Sequence, residues 1–472
     1  MKKREDFFVR KARYEIDMTR GPLFGKLISF SVPLMLTGIL QLLYNAADMV
    51  VVGKYGSDTS LAAVGSTGSL INLIVNVLMG MSVGAGVVVA NAIGAGDREK
   101  ASRATHTSIF ISVVFGVAVG IFGVFMARPL LEMMKSPEDV IDLSSLYVRI
   151  YFAGLPVTML YNFGSSILRA TGDTKRPLYF LIVSGLVNVV LNVVFVKGFG
   201  LDVAGVAIAT VISTAMSAVL VTICLMKSNG PCRLQLKKLR IYGKELVDIA
   251  KIGLPAGLQG SVFSISNVII QSSINSFGSI TMAGSAAASS LEGFVYTSMN
   301  AVYQAALTFT GQNVGAKQYK RINTICAQSL IIVTVVGIIG GIGIYLLGEP
   351  LVGIYDDNPQ VIAEGVKRLG IISATYFICG AMDMMVGMMR GMGKSLMPMI
   401  VTVVGVCGVR IVWIYTVFAY YHSLFWLYVS YPVSWIVTLF IHCVCYFAVR
   451  KKFPKENMPR YEEIRQTEEI KV

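Results

Sequence analysis

Four ionisable side chains lie inside long apolar stretches of the sequence: Asp48, Glu292, Asp383 and Arg410. A charge at the centre of a membrane helix costs roughly 3 kcal/mol, so each is a candidate for handling an ion or a substrate. Asp48 stands late in its stretch, where a carboxyl can carry a proton or hold Na+, or simply reach the interface. Asn188 and Asn192 are four residues apart in SGLVNVVLNVVFV, hence on one helical face, and Thr210 follows in the next apolar stretch. Carboxylate, amide and hydroxyl oxygens suit a hard cation and equally a proton relay. The same residue types also join membrane helices as hydrogen-bonding glue, and spacing alone does not choose between these readings.

The second half of the chain offers a different set. Glu292 and Arg410 lie at matched depth below the outer ends of their stretches, which predicts an ion pair that relieves the cost of two buried charges. Such a pair is structural first, with a gating role as the alternative. Asp383 lies deeper, where it either attracts a cationic substrate or caps a polar contact. Seven cysteines show no spacing of the metal or disulfide kind, and read as small apolar packing residues. No metal or redox role and no cofactor are expected. His106, His422 and His442 are scattered, so no catalytic cluster appears and the chain is not read as an enzyme.

The elements that must position these residues are membrane helices. The chain of 472 residues is 54% hydrophobic and only 14% charged, with a mean hydropathy of +0.66, whereas a soluble domain carries about a quarter charged residues. Its net charge of +14 lies between the apolar runs, which points to a membrane surface and not to nucleic acid. Apolar runs of ~20 residues predict twelve spans, at 26–52, 62–92, 105–128, 142–166, 177–197, 203–226, 248–277, 283–312, 322–347, 361–387, 396–419 and 423–449. The opening MKKREDFFVRKARYEIDMTRGP is too charged for the core of a cleavable signal and reads as a cytoplasmic extension, with the first span as an uncleaved signal. With the N-terminus inside, the inner segments hold 33 of the 41 Lys and Arg. The outer segments, taken with the ends of the stretches that flank them, hold seven, Lys54, Arg128, Lys135, Arg149, Lys197, Lys367 and Arg368, and Arg410 alone falls deep within a span. This bias places both termini in the cytoplasm of a multi-pass protein of the plasma membrane.

The chain also repeats itself. A shift of 222 residues brings Pro33 onto Pro255, Gly56 onto Gly278 and Pro137 onto Pro359; a shift of 221 brings Gly94 onto Gly315, Arg169 onto Arg390, Gly172 onto Gly393 and Pro177 onto Pro398. Six helices per copy leave both copies in the same orientation, related by a pseudo-two-fold axis along the membrane normal. The expected fold is therefore an all-α integral membrane protein of twelve helices in two pseudo-symmetric six-helix bundles. Its parts are an N-terminal extension (1–25), an N-lobe (26–226), a basic linker (227–247), a C-lobe (248–449) and a cytoplasmic tail (450–472). Two like bundles around a cleft suit an alternating-access carrier working as a monomer, and nothing resembles a channel's selectivity filter.

The first span opens with a Pro and ends in NAADMVVVGKYG; the loops IGAGDREKASRA and RATGDTKRP follow in order. Over roughly residues 20–450 this resembles the multidrug and toxic compound extrusion (MATE) family, within the multidrug/oligosaccharidyl-lipid/polysaccharide flippase superfamily. The resemblance implies a secondary antiporter that expels organic cations and other amphiphiles in exchange for H+ or Na+. It implies an ion-coupling role for Asp48, for Asn188 with Asn192, and for Thr210, and matches Tyr147 in LYVRIYFAGLP to the family's pocket tyrosine. Where many relatives carry Asp, this chain has Asn192, which leaves Asp48 as the only acid of the cluster. Glu292, Asp383 and Arg410 are then substrate-cavity or gating candidates, and Tyr44, Phe263 and Met299 are candidates to line a soft cleft. The alternative is a lipid-linked oligosaccharide flippase. It calls for a more cationic cleft than buried charges that are mostly acidic, with Arg410 the exception. A receptor or scaffold offers no reason for duplicated halves with buried acids.

Overall fold

A bilayer offers the backbone no water, so a chain this apolar must satisfy its peptide groups within helices. The computed structural model describes residues 14–57, 59–134 and 137–457, and among these there is no strand. The first thirteen residues of the N-terminal extension, Lys135 and the tail beyond residue 457 lie outside the described residues.

The first copy comprises α1 (Phe24–Tyr55), α2 (Ser60–Ala95), α3 (Arg98–Met133), α4 in two arms (Glu138–Ala153 and Leu155–Ala170), α5 (Lys175–Gly198) and α6 (Asp202–Lys227). The second comprises α7 (Gly243–Asn275), α8 (Ser279–Gly315), α9 (Tyr319–Leu346), α10 (Pro359–Gly391), α11 (Leu396–Tyr421) and α12 (Leu424–Arg450). Ten of these contain single apolar stretches long enough to cross a membrane, and the arms of α4 form a bent span, with a 47° break at Gly154. The remaining one, α8, has 37 residues and faces protein along much of its length. Small residues such as Gly284, Ser285, Ala287 and Ala288 are buried on it, which is why its sequence is less apolar than a lipid-facing helix.

α2 packs on α7, and α1 on α8, so the two contacts between the copies are counterparts under the repeat; α2 also meets α8. A Cβ at Gly94 would collide with the backbone of Gln312, and one at Gly315 with the backbone of Asn91. This reciprocal pair of glycines is what a pseudo-two-fold contact requires. The turns after α4 and α10 also correspond, since Gly172 (φ 98°) and Gly393 (φ 77°) both take the left-handed conformation that glycine adopts freely.

One end of the seam is tied shut. Lys100 reaches Asp248 at 3.3 Å and Arg103 reaches Glu245 at 3.2 Å, joining the start of α3 to the start of α7. Residues 14–23 cross the same end. The Ile16 N–H donates to the Gly172 carbonyl at 3.3 Å, Asn313 donates to the Met18 carbonyl at 3.0 Å, and Arg321 donates to the Gly21 carbonyl at 3.0 Å. The Met18 side chain is fully buried there. The connecting segment 228–242 is held against α3, where the Gln235 N–H donates to His106 Nε2 at 3.0 Å and the Tyr242 N–H to Thr107 Oγ1 at 3.2 Å. Cys232 in this segment is buried, and burial pushes its thiol up to about 12. Farther along the seam lies a cavity of about 540 Å³, lined mostly by the second copy and by Asn76, Met79, Gly80 and Val83 of α2.

Candidate functional site

In the first copy, three helices bring four side chains into a closed ring. Asn192 Nδ2 donates to Asp48 Oδ1 and, at 3.3 Å, to Asn188 Oδ1. Asn188 Nδ2 donates to Thr210 Oγ1 at 3.4 Å, and Thr210 Oγ1 donates to Asp48 Oδ2 at 3.3 Å. The four-residue spacing on α5 stacks the two amides, α1 supplies the acid and α6 the hydroxyl. Two residues beyond Asn192 the helix widens into a π turn, Val194–Gly198. Such turns aim side chains at functional positions, and apolar periodicity gives no sign of this one. Tyr147, from the first arm of α4, packs on the neighbouring cluster of Val51, Val52, Val196 and Val203 and lies within electrostatic reach of Asp48.

The ring is neutral apart from one carboxylate. Asn188 and Asn192 are buried, and among the described residues Asp48 has no basic partner within ion-pair distance. Asn192 Oδ1 is buried with no donor to it. An acid held by amide and hydroxyl groups, next to an acceptor oxygen without a donor, can take up a proton or gather oxygen ligands around a small cation. No group of three or more His, Cys, Asp or Glu suited to a metal ion occurs among the described residues.

In the second copy the expected partners are exchanged. Glu292 does not pair with Arg410. It receives two parallel bonds from Arg368, Nε to Oε1 at 3.0 Å and Nη2 to Oε2 at 2.8 Å, and Arg368 also donates to Ser285 at 2.7 Å. The Lys and Arg tally treats Arg368, with Lys367, as an outer-segment charge. Here α10 already starts at Pro359, so the helix turns Lys367 outward onto Glu364 and buries Arg368. Arg410 instead donates from Nε to Ser434 at 3.0 Å. Asp383 faces the Tyr296 hydroxyl, with Arg390 in electrostatic reach.

Glu292, Asp383 and Arg410 all line the central cavity. So do Arg368 and Arg390, which the sequence reading had placed in aqueous segments. Arg390 is buried and donates to Tyr303 Oη at 2.7 Å and Gln259 Oε1 at 2.9 Å. The expectation that buried charges are mostly acidic is thus corrected: three arginines and two acids line the cavity. Of the aromatic and Met candidates, Phe263 lines it. Met299 is buried in the core, and Tyr44 packs against Gly185 between α1 and α5.

The family model described as MatE matches residues 33–194 and again residues 255–416, two stretches that begin at Pro33 and at its repeat counterpart Pro255. The probable multidrug resistance protein YoeA of Bacillus subtilis is 28% identical over 433 residues, 90% of this chain and 93% of that protein. The probable multidrug resistance protein NorM of Thermotoga maritima is 26% identical over 393 residues, 82% of this chain and 84% of its own length. Among solved structures, a MOP superfamily transporter from Pyrococcus furiosus, described as having a binding pocket of reverse polarity, superposes with a TM-score of 0.88 at 22% identity. That superposition covers 94% of this chain and 99% of that one. An outward-facing multidrug resistance MATE family transporter gives the same score and identity, covering 94% of this chain and all of that one. These structures share the fold, and the duplicated match of the family model spans most of the sequence. The chain belongs to the MatE family of transporters.

Proposed function

We propose that this protein is a multidrug efflux transporter that exports small organic amphiphiles in antiport with H+ or Na+ by alternating access. The observation that carries the coupling is the Asp48 ring: one carboxylate inside a membrane helix, without a basic partner among the described residues and held by Asn188, Asn192 and Thr210. Binding of the ion neutralises Asp48 and changes the contacts that hold α1 against α5 and α6. Because α1 also packs on α8 of the other copy, a change there alters the seam. The ion shifts the two access states only so far as it binds them with different affinity. The closed end at Gly94 and Gly315 and the cavity beyond it correspond to one of those states. The Lys and Arg bias supports a cytoplasmic position for that closed end, with both termini on the same side of the plasma membrane.

The flippase reading draws on the three cavity arginines. Set against Glu292 and Asp383 they leave a single positive surplus, which does not balance a pyrophosphate, so efflux is the better account. Transport in proteoliposomes tests it: a fluorescent amphiphile is followed under an imposed pH gradient and, separately, an imposed Na+ gradient. One of the two gradients drives export, and Asp48→Asn reduces the driven rate to that of protein-free vesicles. Equal rates for Asp48→Asn and the parent chain would overturn the coupling proposal.

A further inference from the structure

We infer that the central cavity holds a subsite for an anionic group on the exported molecule, with the Arg410 guanidinium as anchor and Tyr431, Trp435 and Phe263 as walls for an aromatic body. The inference rests on the efflux reading above and names a substrate class for the same cavity: aromatic organic monoanions.

Arg410 is 1% exposed and lines the cavity. A buried charge is normally paired, and Arg368 follows that rule through Glu292. Among the described residues Arg410 has no carboxylate within ion-pair distance. Among the described residues its one side-chain hydrogen bond is to the neutral Ser434 hydroxyl. The groups around it are rings and thiols. Its guanidinium carbon lies 4.1 Å from the centre of Tyr431, 5.7 Å from Trp435 and 5.8 Å from Phe263, with Cys379 and Cys407 nearby. Ring faces offset part of the cost of desolvating a cation, but they bring no counter-charge.

An oxyanion supplies the counter-charge that Arg410 lacks, because a planar guanidinium pairs with two oxygens of a carboxylate or sulfonate. Three arginines against Glu292 and Asp383 leave one positive charge, which a monoanion balances. An organic cation would increase the surplus and would find Asp383 already within electrostatic reach of Arg390.

Equilibrium dialysis of the purified full-length chain in detergent, corrected with protein-free micelles, tests the inference with three ligands of one shape. These are 2-naphthoate, its neutral amide and 2-naphthylmethylammonium. The unaltered chain is expected to bind 2-naphthoate saturably and at least ~10-fold more tightly than the amide, as a charge-assisted pair of hydrogen bonds implies, with the ammonium weakest. Arg410→Gln should abolish the preference for the anion, and Arg410→Lys should keep part of it. Equal or tighter binding of the amide or the ammonium by the unaltered chain overturns the inference, as does a preference for the anion that survives Arg410→Gln. The ligand comparison on the unaltered chain needs no variant to fold. Binding at equilibrium needs no gradient either, so a negative result here leaves gradient-driven efflux to its own test.

Discussion

Asp48 and Asn192 face each other across α1 and α5, and among the described residues the acid there has only neutral partners. Cation affinity in an oxygen site rises with the number of charged ligands. Asn192→Asp therefore places a second carboxylate where the amide now donates to Asp48, and should lower the Na+ concentration for half-maximal transport by about ten-fold, on the order of 1.4 kcal/mol. Transport rate against Na+ concentration at fixed pH reads this directly. The Glu292–Arg368 pair makes a separate prediction about stability. Glu292→Gln leaves a buried guanidinium unpaired, a loss of about 3–5 kcal/mol, and should lower the melting temperature in detergent. Glu292→Gln with Arg368→Met, which removes both charges, should recover part of that loss. Cys232 adds a pH dependence outside the membrane. Its thiol sits at about 12 when folded against about 8.5 for a free cysteine. The buried thiol thus stabilises the fold fully below the free value, and the contribution is lost as pH rises through the folded one. At pH 8 it should resist maleimide in the native protein and react once the chain is unfolded.

At the scale of elements, the helices were legible because length and apolarity decide them, and the repeat was legible because glycines and prolines recur where backbones approach or turn. Gly94 with Gly315 and Gly172 with Gly393 are examples with a steric reason. Gly315→Ala sets a methyl against the Asn91 carbonyl and should loosen the closed end of the seam. Spin labels at Glu99 and Lys320 should then report a longer or broader distance distribution than in the unaltered chain. The two missed arginines, Arg368 and Arg390, lie near ends of apolar stretches, where a tally of Lys and Arg counts every side chain as aqueous. Nothing in the sequence tells which side of its helix faces a cavity, and Lys367 and Arg368, adjacent in the chain, point opposite ways. The Asp48 ring was more accessible, since a four-residue amide spacing places both groups on one face. Its closure through Thr210 depends on how α6 packs on α5, which no local pattern encodes.

At the scale of the whole molecule, two copies of one scaffold carry different chemistry. The first holds a lone acid among neutral oxygens, and the second contributes Glu292, Arg368, Asp383, Arg390 and Arg410 to the cavity. α1 belongs to both regions, since it carries Asp48 and packs on α8. A change of charge at Asp48 thereby has a mechanical route to the seam. The most direct test is the gradient dependence of efflux in proteoliposomes that contain either the unaltered chain or Asp48→Asn, with the pH gradient and the Na+ gradient imposed one at a time. The account predicts that one gradient accelerates export by the unaltered chain and that neither accelerates export by Asp48→Asn. Acceleration of Asp48→Asn to the unaltered rate would contradict it.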